Sequence, residues 1–373
     1  MSEGGSTRPE AGAIRPWVLH VDMDQFLVAV ELLRRPELIG LPVVVGGRGD
    51  PTERAVVSTA SYEARAFGVH SGMPLRIAVR RCPDAVFLPL DSPVYNAASA
   101  QVMAALRAIP DAVVEVLGWD EAFVGLHTDD VETAAHDVRR RVSEASGLSC
   151  SVGIGDTLVR AKIATDFGKP AGVYRLTRDN WLEVMGERPT TALWGVGSKF
   201  GARLTAIGIA TVADLAAAEE TALVAAFGPA GGGHLSRLGK GGGRAWPDDT
   251  PWVARAHGHE QTYQRDLTTT DQIRGALREL ADQVVVDLRR EERPCARVHL
   301  KTRFVPFLTF TRVRKLPEPT YDPAVIAETA WQLFATLHAT QTRQGPLDVP
   351  NAVMRPVRLL GIRGEMTEPA GGY

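Results

Sequence analysis

Hydrophobic positions in the first half of the chain alternate between short β-like runs and longer stretches with helical spacing. Trp17 to Asp22 reads as a buried strand, and Leu41 to Gly46 as a second β-rich run ending in glycines. Pro51 to Leu90 is short-helix and loop material rich in Arg. Asn96 to Ile109 has helical periodicity, and Ala112 to Leu117 is a strand that feeds an acidic motif. Val131 to Ser146 is helical, Ser149 to Gly155 is a strand, and Thr157 to Phe167 is a helix. Strands mixed with helices predict an α+β domain with a sheet floor.

The pattern shifts after Trp181. Trp194-Gly195-Val196-Gly197 precedes a helical stretch that ends near Ile207-Gly208-Ile209, and an Ala-rich helical segment follows. The triplets Gly231-Gly232-Gly233 and Gly241-Gly242-Gly243 read as flexible punctuation, and an interdomain linker falls around Arg244 to His257. Thr269 to Arg290 predicts a long amphipathic helix. Ala296 to Phe304 and Thr309 to Lys315 alternate like paired strands, Pro323 to Leu337 is a second helix, and Arg355 to Ile362 a last strand.

At 373 residues the chain is long enough for two to four domains, and no internal repeat is evident. Its net charge of -2 gives no whole-chain argument for nucleic-acid binding. From Val253 onward, however, 17 Lys and Arg stand against 14 Asp and Glu, a mildly basic module beside a more acidic body. Cys82, Cys150 and Cys295 form neither a zinc pattern nor a disulfide framework, and a reducing cytoplasm is the expected compartment. Met1 to Arg15 is polar and Gly-rich, read as a disordered lead without an apolar signal core, and no apolar run reaches membrane-spanning length.

Two acidic motifs carry the chemistry: His20-Val21-Asp22-Met23-Asp24-Gln25-Phe26 and Leu117-Gly118-Trp119-Asp120-Glu121-Ala122-Phe123. Each sets carboxylates directly after a short apolar run, where a strand is expected to end. Carboxylates brought together repel one another unless cations lie between them. Hard oxygen ligands suit Mg²⁺, so a two-metal site for phosphoryl transfer is the economical reading.

These motifs resemble those of the Y-family, translesion-type DNA polymerases, with the DinB branch, DNA polymerase IV, the nearest match. Val57-Ser58-Thr59-Ala60-Ser61-Tyr62-Glu63-Ala64-Arg65, Ser71-Gly72-Met73-Pro74, Ser151-Val152-Gly153-Ile154-Gly155, Lys169-Pro170-Ala171-Gly172 and Val357-Arg358-Leu359-Leu360-Gly361 follow in family order. The resemblance implies an α+β right-hand polymerase. Its parts are a palm (16–25 and 93–181), fingers (26–92), a helical thumb with a helix-hairpin-helix (182–247), a linker (248–256) and an α/β little finger (257–373).

The resemblance also implies roles. Asp22, Asp120 and Glu121 are the expected catalytic carboxylates and, with the Met23 backbone carbonyl, the expected ligands of two Mg²⁺ ions, which Mn²⁺ can replace. Thr59, Tyr62, Arg65 and Lys169 are expected to receive the nucleotide triphosphate. Gly195 and Gly197 are expected to approach DNA phosphate, and Arg303, Arg312, Arg314, Arg355 and Arg358 to grip DNA from strand-like segments. Arg312 and Arg314 alternate with Val313, so both should face one way while Val313 faces the core. Asp24 is expected to share a strand face with Asp22 yet to act as a hydrogen-bond or ion-pair partner rather than a ligand. The expected partners are primer-template DNA and dNTPs, the protein acting as a monomer in the cytoplasm.

The chain departs from the family pattern at the sugar site and in the tail, and the thumb's Gly231–Gly233 and Gly241–Gly243 triplets also differ from the usual pattern. Leu27 stands where most members carry the Phe or Tyr that excludes a ribose 2′-hydroxyl, with Phe26 beside it. Ribonucleotides are therefore expected as substrates too. The tail from Glu365 to Tyr373 lacks a clamp-binding pattern and Gln344 to Val349 is only a faint echo of one, so a sliding clamp is expected to bind weakly or not at all. Two rival readings are a catalytically silent DNA-binding scaffold and a nucleotidyl cyclase.

Overall fold

The computed structural model describes residues 15–342 and 354–372. The proposed lead, the Gln344–Val349 echo and the final Tyr373 lie outside these, Arg15 of the lead excepted. The chain divides into two compact units, one built from residues up to Thr250 apart from 51–55 and 74–76, the other mainly from Pro251 onward.

The first unit opens with β1 (Arg15–Met23), α1 (Phe26–Arg34), β2 (Val43–Val45), β3 (Thr59–Ala60), α2 (Tyr62–Ala66), α3 (Leu75–Arg81) and β4 (Val86–Leu88). It continues through α4 (Ser92–Arg107), β5 (Val113–Val116), β6 (Glu121–Thr128), α5 (Val131–Ser146), β7 (Cys150–Gly155), α6 (Leu158–Gly168) and β8 (Val173–Leu176). A five-stranded sheet has the order β5-β6-β1-β7-β8, with β1 central and antiparallel to both neighbours. Leu19 and Val21 on one face of β1 join a core with Tyr95 and Val102 of α4 and Val138 and Val142 of α5. Val18 on the other face packs against Leu158 and Ala161 of α6. Burial on both faces explains the apolar run, broken by His20 alone between Trp17 and Val21, that makes this strand conspicuous. Gly153 lets α6 lie directly on β7, since a Cβ there would come within 2.0 Å of the Ala161 carbonyl oxygen. A small sheet, β3-β2-β4, is formed by the segment between α1 and α4.

Further helices of this unit are α7 (Trp181–Met185), α8 (Ser198–Thr205), α9 (Val212–Ala217) and α10 (Glu220–Gly239). The first Gly triplet is not punctuation. Gly231 to Gly233 lie inside α10, which is kinked at Gly228 with φ 81° and resumes through Pro229. Gly232 has no room for a side chain, because a Cβ would sit 2.4 Å from the Val224 amide nitrogen. The start of the expected linker is also pinned. Arg244 Nη2 donates to Glu115 Oε1 at 2.5 Å, the Asp248 amide donates to Glu115 Oε2 at 2.8 Å, and Trp246 lies over Gly125.

The second unit holds β9 (Ala256–Leu267), α11 (Thr270–Arg290), β10 (Cys295–Phe304), β11 (Leu308–Thr320), α12 (Pro323–Thr342) and β12 (Val357–Met366). Its antiparallel sheet has the order β11-β10-β12-β9, with α11 and α12 packed on one face. A capping box between Thr269 and Gln272 fixes the start of α11. The strand β9 falls where the sequence pattern predicts a linker to His257 and no element from there to Thr269. All three cysteines are free and buried. No helix among the described residues is long and apolar enough to cross a membrane.

Candidate active site

Antiparallel pairing of β1 and β6 sets Asp22 opposite Glu121. The sequence reading set both acidic motifs at the ends of strands. Asp22 lies near the end of β1 and Asp120 in the turn that follows β5, as the apolar runs before them imply, whereas Glu121 opens β6. The Met23 amide donates to the Asp120 carbonyl at 2.8 Å, which closes that turn against β1. Burial raises the Asp120 carboxyl above its ordinary range, and the charges of Asp22 and Glu121 push it further up. Glu121 is pushed the other way, down to about 2, by its hydrogen bond from His20 and by the Lys162 ammonium.

His20 and Lys162 escaped the sequence assignment. His20, two residues before Asp22, shares its face of the strand and is 1% exposed. Its Nε2 lies 3.1 Å from Glu121 Oε2 and its Nδ1 2.8 Å from Thr165 Oγ1. Burial lowers its pKa, so the ring holds Glu121 by a hydrogen bond in its neutral form. The i,i+2 spacing was its only sequence signal. Lys162, on α6, pairs with Glu121 and lies 5.5 Å from the Trp194 ring centre. That contact brings the expected Gly195–Gly197 turn beside the acidic site.

His20, Asp22 and Glu121 each offer a ligand atom within 4.8 Å of the others. The oxygens already attract cations: Lys169 Nζ is 2.9 Å from Asp22 Oδ1, and although burial works against its charge, Asp22 raises its pKa. Two carboxylates beside an imidazole, already drawing two ammonium groups, fit a divalent cation.

Of the expected phosphate ligands, Lys169 meets Asp22 and Tyr62 meets Asp24. Tyr62 opens α2, and the Arg65 guanidinium stacks 4.9 Å from its ring centre while Nε donates to the Ala60 carbonyl. Thr59 is half-buried on β3, and Leu27 and Phe26 are buried in the first turn of α1. Asp24 lies just past β1, so it does not share a strand face with Asp22. Its carboxylate, 5% exposed, accepts hydrogen bonds from Tyr62 Oη, Ser149 Oγ, Ser151 Oγ and the Ala171 amide. Gly195 has φ 89°, Val196 is buried, and Gly197 precedes α8 with open space where a Cβ would stand.

In the second unit the expected arginine stripe is corrected. Arg312 and Arg314 pair across the ladder with Leu300 and Val298, which face the helices. Arg314 Nη1 accordingly donates to Gln332 of α12 at 2.5 Å, while Val313 is 53% exposed on the open face. The alternation holds but its phase is reversed, because Val298 and Leu300 claim the core. The open face carries Arg297, Lys301, Arg303, Lys315 and Arg363 against Glu260 and Glu365. Arg303 and Arg358 both lie over Phe307, and Arg355 donates to the Val305 carbonyl.

Comparison with known proteins agrees with this arrangement. Residues 21–166 match the impB/mucB/samB family and residues 254–372 its C-terminal domain. DNA polymerase IV 2 of Mycobacterium tuberculosis is 47% identical over 94% of this chain and 98% of its own length. DNA polymerase IV of Methanoculleus marisnigri is 37% identical over 94% of each chain. A solved chimeric Y-family DNA polymerase shares the fold, with TM-score 0.76 and 23% identity over 94% of this chain and 98% of its own. The chain therefore belongs to the impB/mucB/samB family, in the DNA polymerase IV branch of the Y-family DNA polymerases.

Proposed function

We propose that this chain, a translesion-type DNA polymerase, adds nucleotides to a primer 3′ end with Asp22, Asp120 and Glu121 as its catalytic carboxylates. The observation that carries this reading is the Asp22–Glu121 rung with Asp120 in the adjoining turn. Asp22, Asp120, Glu121 and the Met23 carbonyl would hold two Mg²⁺ ions. Bound there, the ions supply acidification of the primer hydroxyl and charge neutralisation at the transferring phosphorus. His20 and Lys162 orient Glu121. Lys169, Tyr62, Arg65 and Thr59 receive the triphosphate, for which an ammonium, a guanidinium fork and hydroxyls are apt donors.

Leu27 forms the floor under the sugar. A leucine has no ring plane to oppose a 2′-hydroxyl, so the substrates are dNTPs and rNTPs alike. The thumb turn Gly195–Gly197 and the open sheet face of the second unit hold primer-template DNA through its phosphates. We assign palm, fingers, thumb and little finger to the ranges read from the sequence, and the protein to a reducing cytoplasm as a monomer without a strong clamp contact. Primer extension with Mg²⁺ tests the proposal directly. A wild-type protein that binds primer-template yet never extends it would make the chain a silent scaffold instead.

A further inference from the structure

Of the two carboxylates in the first acidic motif, Asp24 is the one with no expected role in catalysis, yet it is the more buried. Oδ1 accepts from Tyr62 Oη at 3.1 Å and Ser151 Oγ at 2.8 Å, and Oδ2 from Ser149 Oγ at 2.8 Å and the Ala171 amide at 3.0 Å. The Asp24 amide donates to the Ser149 carbonyl at 3.0 Å. Four donors saturate a carboxylate, so a buried charge is held without a metal.

The donors come from three separate segments. Tyr62 opens α2, Ser149 and Ser151 border and begin β7, and Ala171 follows Lys169 in the turn after α6. Ala171 takes φ 52°, a conformation unfavourable for a residue with a Cβ, and its amide is the one fixed on Asp24. Gln25, next to Asp24, adds a second tie: its Oε1 accepts from the Tyr62 amide at 2.8 Å. Burial, together with the Asp24 charge, raises the Tyr62 hydroxyl pKa, so the phenol keeps its one proton, which Asp24 holds until a phosphate oxygen takes it.

We propose that Asp24 is a positioning residue that sets Tyr62 and the Lys169–Ala171 turn at a fixed separation before nucleotide arrives. It acts through the triphosphate-binding groups, not on the metal or the reacting atoms. The inference rests on the phosphate role of Tyr62 and Lys169 given above.

The test is steady-state extension with one dNTP, together with primer-template binding and melting temperature, for Asp24→Asn, Tyr62→Phe, Lys169→Ala and the double variant Asp24→Asn with Tyr62→Phe. An amide cannot accept from all four donors, and the Ala171 N–H cannot turn away. Asp24→Asn should raise the dNTP KM about tenfold, the change expected for a lost hydrogen bond to a charged group, with a smaller fall in kcat and unchanged DNA affinity. Tyr62→Phe should add less to KM in the Asp24→Asn background than in the wild type. Ser149→Ala and Ser151→Ala, milder deletions of single donors, should raise KM in the same direction if Asp24→Asn folds poorly. Unchanged KM in Tyr62→Phe and Lys169→Ala would overturn the phosphate reading and this inference together. Raised KM there, with unchanged KM in Asp24→Asn and both serine variants, would overturn this inference alone. A kcat loss at unchanged KM, restored by more Mg²⁺, would make Asp24 a metal ligand and equally overturn it.

Discussion

Asp22 and Glu121 are cross-strand partners on neighbouring strands of one sheet, so the backbone ladder itself fixes the spacing of the acidic pair. Rigid strands hold such a constellation more closely than loops do. Asp120→Ala and Glu121→Ala should each abolish primer extension while leaving primer-template affinity within about twofold, since the phosphate grip proposed above lies on other residues. A gel-shift titration beside an extension assay checks both halves. Full activity in either variant would remove the carboxylate cluster from the mechanism.

Leu27 lies in the first turn of α1, buried beside Phe26. Leu27→Phe and Leu27→Tyr should cut rNTP incorporation by about tenfold or more, about 1.4 kcal/mol per factor of ten, while sparing dNTP incorporation. Single-nucleotide insertion kinetics with paired dNTPs and rNTPs measure this. If the unaltered protein already refuses rNTPs, selectivity has another source, and Phe26 and Tyr62 are the first places to look.

The reversed phase of β11 separates two sets of basic residues. Removing Lys301 and Arg363, both on the open face of the sheet, should weaken DNA binding and flatten its salt dependence by about two phosphate contacts' worth of slope. Arg314→Ala, on the helix side and bonded to Gln332, should change neither. Affinity measured across a range of salt concentrations distinguishes them, and an equal effect from Arg314 would return the stripe to the face first expected.

Gly153 admits no side chain without backbone movement. Gly153→Ala forces the Ala161 carbonyl of α6 away from β7 and should destabilise the fold by about 1–3 kcal/mol, seen as a lower melting temperature. A melting temperature equal to wild type would mean that α6 has slack at this contact.

Acid should expose the Glu121 pairing in metal-free protein. Its folded pKa of about 2 lies below the ordinary 4.5, so its stabilising contribution is present above about pH 4.5 and fades as pH falls toward 2. Replacing it, Glu121→Gln, should therefore flatten the loss of stability across that window in chelator-treated samples. Parallel acid-unfolding curves for the two proteins would contradict the assigned pairing with His20 and Lys162.

Legibility from sequence depended on whether chemistry or phase was being read. The helix Val131–Ser146 has an apolar stripe, an Asp130 side chain that accepts from the Thr133 amide at its start, and Gly147 at φ 69° to stop it, so pattern and structure coincide. The strand β9 hides because the inner positions of its first half are polar. His257 and His259 meet Glu291 and Asp287 of α11 there, where apolar residues would have announced a strand. Gly231–Gly233 misled because a glycine required for close packing looks the same in sequence as one that supplies flexibility. At the site, the motifs mark Asp22, Asp120 and Glu121, but Lys162 reaches Glu121 only through the packing of α6 on the sheet, which no local pattern encodes.

The three buried cysteines have a chemical and a practical consequence. Burial pushes the thiols of Cys150 and Cys295 up to about 12 and about 11, so almost no thiolate exists at neutral pH, and Cys82 is raised as well. Peroxide attacks thiolates. The thiols of Cys82, Cys150 and Cys295 should therefore resist peroxide, and a single cysteine introduced on the surface would be the one reactive handle for a fluorophore.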